Sequence, residues 1–82
     1  MTTRIDATSE ATRLTEEIDT ALKTRYGWAV RERAMHGAKP LPAHVYAALA
    51  DLQGHLTEIH RAARLTDVGK LRLLREVLGR LT

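Results

Sequence analysis

The four histidines of this 82-residue chain, His36, His44, His55 and His60, are the first candidates for chemistry, because imidazole is the commonest side-chain ligand of transition metals. Two ligands on one face of a helix need a spacing of three or four residues. His44 and His55 are eleven residues apart, and His55 and His60 are five apart. The chain also contains no cysteine. The sequence therefore predicts neither a metal site nor a bound cofactor.

Catalytic constellations are equally hard to assemble from this sequence. Ser9 lies in a polar, threonine-rich start that lacks the strand-turn-helix setting of a hydrolase nucleophile. Gly69 and Lys70 form a lone pair without the glycine-rich loop that presents amides to a phosphate. Glu16 and Glu17, as sequence neighbours, point to different faces of a helix. We therefore predict no catalytic residue and a protein that is not an enzyme.

The last third of the chain is rich in cations that suit contacts with phosphates. Its arrangement of helix, short turn and helix also loosely suggests a helix-turn-helix. Glu76, however, lies four residues from both Arg72 and Arg80, and the polar face of the last helix carries no amide or hydroxyl side chain to read base edges. A helical DNA- or RNA-binding protein is thus the alternative interpretation, with the candidate contacts Arg61, Arg64, Lys70, Arg72, Arg75 and Arg80.

Trp28 stands next to Gly27 and shortly before two arginines, a combination that is enriched at the energetic centres of protein interfaces. The competing interpretation is that Trp28 fills the core of a small bundle. Arginines of the last helix also suit an acidic partner surface. The candidate partner-binding residues are therefore Trp28, Arg31, Arg33, Arg72 and Arg75.

These candidates must be positioned by helices, and the stretch 42–65 has the clearest helical pattern. Large apolar residues recur there at intervals of three and four, at Val45, Leu49, Leu52, Leu56, Ile59 and Ala63. Small residues repeat on the opposite side, at Ala43, Ala47, Ala50 and Gly54. The two faces predict a central helix that packs on both sides and forms the spine of the core, with a cost of about 2 to 5 kcal/mol for replacing Leu52 or Leu56 by alanine.

The flanking segments predict three further helices. The first runs over about 8–25, after a start at 1–7 that we expect to be frayed, and Gly27 marks a turn or kink. A short helix over about 28–36 ends at Gly37, before Pro40 and Pro42 break the chain. The last helix runs over about 67–81 and is apolar over an arc of roughly 160° at 100° per residue. So wide an arc predicts contact with two elements, or with a second chain.

Together these patterns predict an all-α fold, a bundle of three longer helices and one short one, in a single domain over residues 1–82. The net charge of +3 is distributed in blocks of −3, +4, −2 and +4 over residues 1–22, 23–39, 40–60 and 61–82. No apolar stretch predicts a signal peptide or a membrane span. We expect a cytoplasmic, non-enzymatic protein-interaction module, such as an adaptor, inhibitor or regulator. Its expected partner is a larger protein with an acidic surface, and homodimerisation is a further option.

Overall fold

Three α-helices form the fold of residues 3–82. The computed structural model describes the backbone of residues 3–82 and the side chains from residue 8 onward. Helix α1 is Thr3–His36, α2 is Ala43–Ala62 and α3 is Asp67–Leu81. The all-α class is confirmed, with no strand within residues 3–82. Residues 1 and 2 of the predicted frayed start, 1–7, lie outside the described part. The other five residues of that start belong to α1, which begins at Thr3.

The helices run up, down and up along a common long axis. In the second half of α1, the Oη atom of Tyr26 lies 3.2 Å from the Nε2 atom of His55 in α2. At the far end of α3, the Arg25 guanidinium donates to the carbonyl of Arg80 at 3.4 Å and to that of Leu81 at 3.5 Å. The bundle measures 54 × 20 × 18 Å, and a helix of the length of α1 spans about 51 Å. The turn before α3 therefore reverses the chain, unlike the steep crossing of a helix-turn-helix.

The core lies between α1 and the other two helices. Helix α1 contributes a buried stripe at four-residue spacing, Leu14, Ile18, Leu22 and Tyr26. Helix α3 contributes four buried side chains, Leu73, Leu74, Val77 and Leu81. Its partly buried residues Leu71 and Leu78 pack against the same cluster. Helix α3 contacts both α1 and α2. Its wide apolar arc therefore packs against two elements of the same chain, which was the first of the two predicted explanations.

The predicted turn at Gly27 and the separate short helix over 28–36 are wrong, because α1 continues unbroken to His36. A glycine inside a helix costs about 1 kcal/mol relative to alanine. On either side of Gly27, Tyr26 and Ala29 are buried, and only an uninterrupted helix keeps both on the inward face. Burial of these side chains outweighs the local cost. The predicted boundary at Gly37 is confirmed, since its φ of 57° ends α1.

The prediction that the central helix is the spine is also wrong. Only Val45 and Ala62 of α2 are buried. Leu56, on the predicted core stripe, is 37% exposed, and the face of small residues, at Ala43, Ala47, Ala50 and Gly54, is exposed throughout. Helix α1 takes the role of the spine because it is the longest helix and contributes five of the described buried side chains, Leu14, Ile18, Leu22, Tyr26 and Ala29. The boundaries 42–65 shrink to Ala43–Ala62.

The lengths of the helices divide the molecule into two regions. Helix α3 lies beside α1 from the level of Thr8 to that of Arg25, and His55 of α2 contacts Tyr26 at this same level, so the region of residues 8–26 and 54–82, which we call the body, has three helices. The last turns of α1 extend beyond the end of α3. Together with the loop and the first part of α2 they form residues 27–53, which we call the arm. Its buried side chains are Ala29 and Val45.

Candidate interaction surface

The connection from α1 to α2 fixes the end of the arm. Gly37 adopts φ 57°, a conformation that glycine reaches without strain, and the amide of Lys39 donates to the carbonyl of His36 at 3.0 Å. Pro42 stands immediately before α2, where its missing amide leaves no hydrogen bond unmade. Its carbonyl accepts the amides of Val45 and Tyr46 at 3.0 and 3.3 Å. The loop is therefore held at both ends by the backbone.

A groove lies where this loop folds back along α2. Its volume is about 640 Å³, and its lining is Arg33, Gly37, Ala38, Lys39, Pro40, Leu41, Tyr46, Leu49, Ala50 and Gln53. Tyr46 is 55% exposed, and its Oη atom accepts a hydrogen bond from the Leu41 amide at 3.5 Å. Leu41 and Leu49 are half-buried. The groove thus has an apolar floor that water reaches.

The charges at the rim of the groove are all positive. Arg33 comes from the last turn of α1 and Lys39 from the loop, and both are exposed. Among the described side chains, no carboxylate lies within ion-pair distance of either. The nearest acid in sequence, Glu32, lies 3.4 Å from the Nε2 atom of His36 on its own helix. The rim therefore offers two cations beside apolar surface.

Trp28 lies on another part of the arm. Its ring stacks on that of His44 with centroids 5.8 Å apart and an interplanar angle of 13°. Its Nε1 atom donates to the carbonyl of Arg25 at 3.1 Å, and 38% of the residue is exposed. A methyl group added to Gly27 would lie 3.6 Å from the Arg31 guanidinium, which covers that glycine. Trp28 thus joins α1 to α2, and neither Trp28 nor Arg31 lines the groove.

Arg72 and Arg75 lie on the body, exposed on the side of α3 opposite its buried residues. The other cations of the last third are spread over the body. Arg61 and Arg64 are exposed at the end of α2, and Arg80 lies 3.9 Å from Glu76. Lys70 lines a cleft of about 400 Å³ together with Glu16 and Asp67, at the end of the body far from the arm. These side chains do not form one basic stripe.

The acidic first block is engaged within α1 itself. Arg13 bonds to Glu10 and lies 3.0 Å from Glu17, and the hydrogen bond and charge of Glu10, followed by the charge of Glu17, raise the pKa of Arg13. Lys23 lies 2.9 Å from Asp19. These pairs have the spacing of helix neighbours. They account for much of the negative charge at this end without any partner.

The histidines are dispersed over the interface between α1 and α2 and its edges. His36, His44 and His55 each contact one side chain of α1, namely Glu32, Trp28 and Tyr26, while His60 is exposed. In the described part of the chain, no three histidine or acidic side chains are grouped so that they could hold a metal ion. None of the described helices has both the length and the apolar character needed to cross a bilayer.

Comparison with known proteins brings no match from family models, from curated proteins or from solved structures. The groove itself is therefore the starting point for function. Of the five candidate partner-binding residues, it contains Arg33 alone. Sequence reasoning missed Lys39, Leu41 and Tyr46, although one signal was present: Tyr46 is a large aromatic residue that lies off the apolar stripe of its helix.

Proposed function

We propose that the protein is a non-enzymatic interaction module that binds a larger protein through the groove of the arm. The observation that carries the proposal is the uncovered apolar floor of Leu41, Tyr46 and Leu49, rimmed by Arg33 and Lys39. Tyrosine and arginine are enriched among the residues that dominate binding energy. Such a module acts as an adaptor, inhibitor or regulator by occupying a surface of its partner, and the absence of cysteine suits work in the cytoplasm.

A second support is the preformed shape of the groove. One wall is the loop, which Gly37, Pro40 and Pro42 hold in place, and the other is a helix. A binding surface that is already ordered loses little conformational entropy when its partner arrives. The wide apolar arc of α3, which suggested a second chain from sequence, gives no support, because α1 and α2 cover it.

Site-specific photocrosslinking tests this function. A photoreactive phenylalanine analogue replaces Tyr46 in the groove, and in a matched control it replaces Thr20, an exposed residue of the body. Both variants are expressed in the native host and irradiated. We expect a discrete crosslinked protein from position 46, competed away by excess unlabelled chain, and none from position 20. Crosslinks of equal pattern at both positions, or none at position 46, would contradict the proposal.

Nucleic-acid binding remains the second candidate because Arg72 and Arg75 are exposed one helical turn apart, with no described carboxylate within ion-pair distance. This function would use the body rather than the arm. Its test is retention on immobilised duplex DNA and on RNA at low salt, compared with the variant that carries Arg72→Glu and Arg75→Glu. Loss of retention in the variant supports it, and absence of retention by the unmodified chain eliminates it.

A further inference from the structure

The charge and shape of the groove favour one kind of occupant. The inference below rests on the proposed function. We propose that the groove binds an amphipathic α-helix of the partner whose apolar residues are flanked by carboxylates. The charge of the groove is the first reason. Arg33 and Lys39 contribute two positive charges to its rim, and none of its lining residues is acidic. Carboxylates of a bound helix would pair with these cations at the edge of an apolar contact.

The spacing of the lining residues favours a helix as the bound element. Four of them, Tyr46, Leu49, Ala50 and Gln53, stand at positions i, i+3, i+4 and i+7 of α2 and form one continuous ridge. Ridges of this kind pack into the grooves of a second helix. The small side chain of Ala50 between the larger ones leaves room for close approach. Residues 3–82 contain no strand edge, so the addition of a strand, the other common mode of peptide recognition, has no template here.

The same charges argue against a second copy of this chain as the occupant. In a symmetric dimer the same patch of each protomer forms the interface. Two such grooves face to face would bring Arg33 and Lys39 of both copies together, and the lining offers no carboxylate as a counter-charge. Like charges held together in an interface oppose binding. An acidic helix from another protein meets the groove without this penalty.

Defined peptides test the occupant without knowledge of the natural partner. The probe is a helix-forming peptide of about 14 residues, or four turns, with leucines along one face and glutamates on both flanks. Its counterpart has lysine in place of every glutamate, and a short DNA duplex serves as a polyanion without apolar anchors. Affinity is measured by fluorescence anisotropy, and the contact residues are mapped by amide chemical shifts of the isotope-labelled full chain.

Two double variants with the same change in charge locate the contact. Arg33→Glu with Lys39→Glu reverses the rim of the groove, and Arg72→Glu with Arg75→Glu reverses the outer face of α3. We expect the acidic peptide to shift amides between residues 33 and 53 of the unmodified chain. In the groove variant its affinity should fall about tenfold or more, while the lysine peptide gains affinity. The α3 variant should bind the acidic peptide as the unmodified chain does.

Other outcomes overturn the inference. Equal binding of both peptides, equal losses in both double variants, or no binding up to about 1 mM would remove the acidic helix as occupant. Displacement of the peptide by the DNA duplex at the same amides would assign the groove to a nucleic acid. A dimer in sedimentation that dissociates in the groove variant would assign it to a second copy. A crosslinked partner at position 46 together with failure of the acidic peptide would leave the proposed function standing and refute this inference alone.

Discussion

The body and the arm are built on the same helix but differ in what covers it. In the body, α1 packs against both α2 and α3, and its residues Leu14, Ile18 and Leu22 are all buried. In the arm, beyond the end of α3, Ala29 is buried but Val30 is half-exposed and Met35 is 80% exposed. Apolar residues occur in both regions, so composition does not separate them. The presence of a third helix does, because α3 covers α1 in the body and leaves the same helix partly uncovered in the arm.

This comparison predicts that the stability of the chain resides in the body. Replacing Ile18 by alanine removes a fully buried side chain among three helices and should lower the free energy of unfolding by about 3 to 5 kcal/mol. Replacing Val45 in the arm removes fewer atoms from a site that α3 does not reach, and the expected loss is about 1 to 2 kcal/mol. Urea unfolding followed by circular dichroism measures both.

Hydrogen exchange shows where each substitution acts. The Val45 variant should exchange faster at amides of the arm while those around Ile18 keep their protection, because regions with few buried contacts open locally. The Ile18 variant should lose protection throughout, because it weakens the cluster that joins all three helices. If Val45→Ala proves as costly as Ile18→Ala and lowers protection throughout the chain, the arm and the body form one cooperative unit and the division into two regions is wrong.

Helix α2 crosses both regions and allows a second comparison, between two leucines of its apolar stripe. Leu52 packs against the core cluster, whereas Leu56 is 37% exposed. Leu52→Ala should therefore cost about 2 to 3 kcal/mol, and Leu56→Ala less than about 1 kcal/mol. Thermal unfolding of the two variants side by side measures the difference. Equal and large losses would restore the sequence-based view that α2 is the spine of the core.

The sequence predicted which face of a helix is apolar better than it predicted which other helices cover that face. Periodicity predicted the wide apolar arc of α3, on which the buried Leu74 and Leu81 lie, and Gly37 with Pro40 and Pro42 marked the loop, because these signals are local. Which residues of α2 are buried depends on where α3 ends and on how α3 packs against α2. The local sequence pattern of α2 does not encode either property. The same limit applies to the groove. Arg33 was a candidate from its place beside Trp28, but Leu41, Lys39 and Tyr46 meet only when the loop folds back along α2.

The wrong prediction of a turn at Gly27 shows that tertiary contacts can outweigh a local signal. Substitution of the glycines should have the smallest effects on the free energy of unfolding. Gly27 lies inside α1, and a methyl group there meets only the flexible Arg31 guanidinium at 3.6 Å. Gly27→Ala should therefore raise the free energy of unfolding by up to about 1 kcal/mol. At Gly37 a methyl group would meet no atom within 4 Å, but the residue has a φ of 57°. Gly37→Ala should therefore lower the free energy of unfolding by about 1 kcal/mol. Chemical denaturation measures both changes.

Gly27 and Gly37 stand at the beginning and just past the end of the part of α1 that belongs to the arm, so their variants also test the arm as a binding surface. Gly27 stands where α1 leaves the body, and alanine there stiffens the helix that carries Arg33. Gly37 fixes the loop that forms a wall of the groove. Gly37→Ala should weaken binding of the acidic peptide by more than its effect on global stability explains, because it disturbs a preformed wall. Gly27→Ala should leave that binding unchanged or slightly stronger. If Gly27→Ala weakened binding of the peptide more than Gly37→Ala, the loop would not be a preformed wall of the groove. It would instead change its conformation when the helix binds.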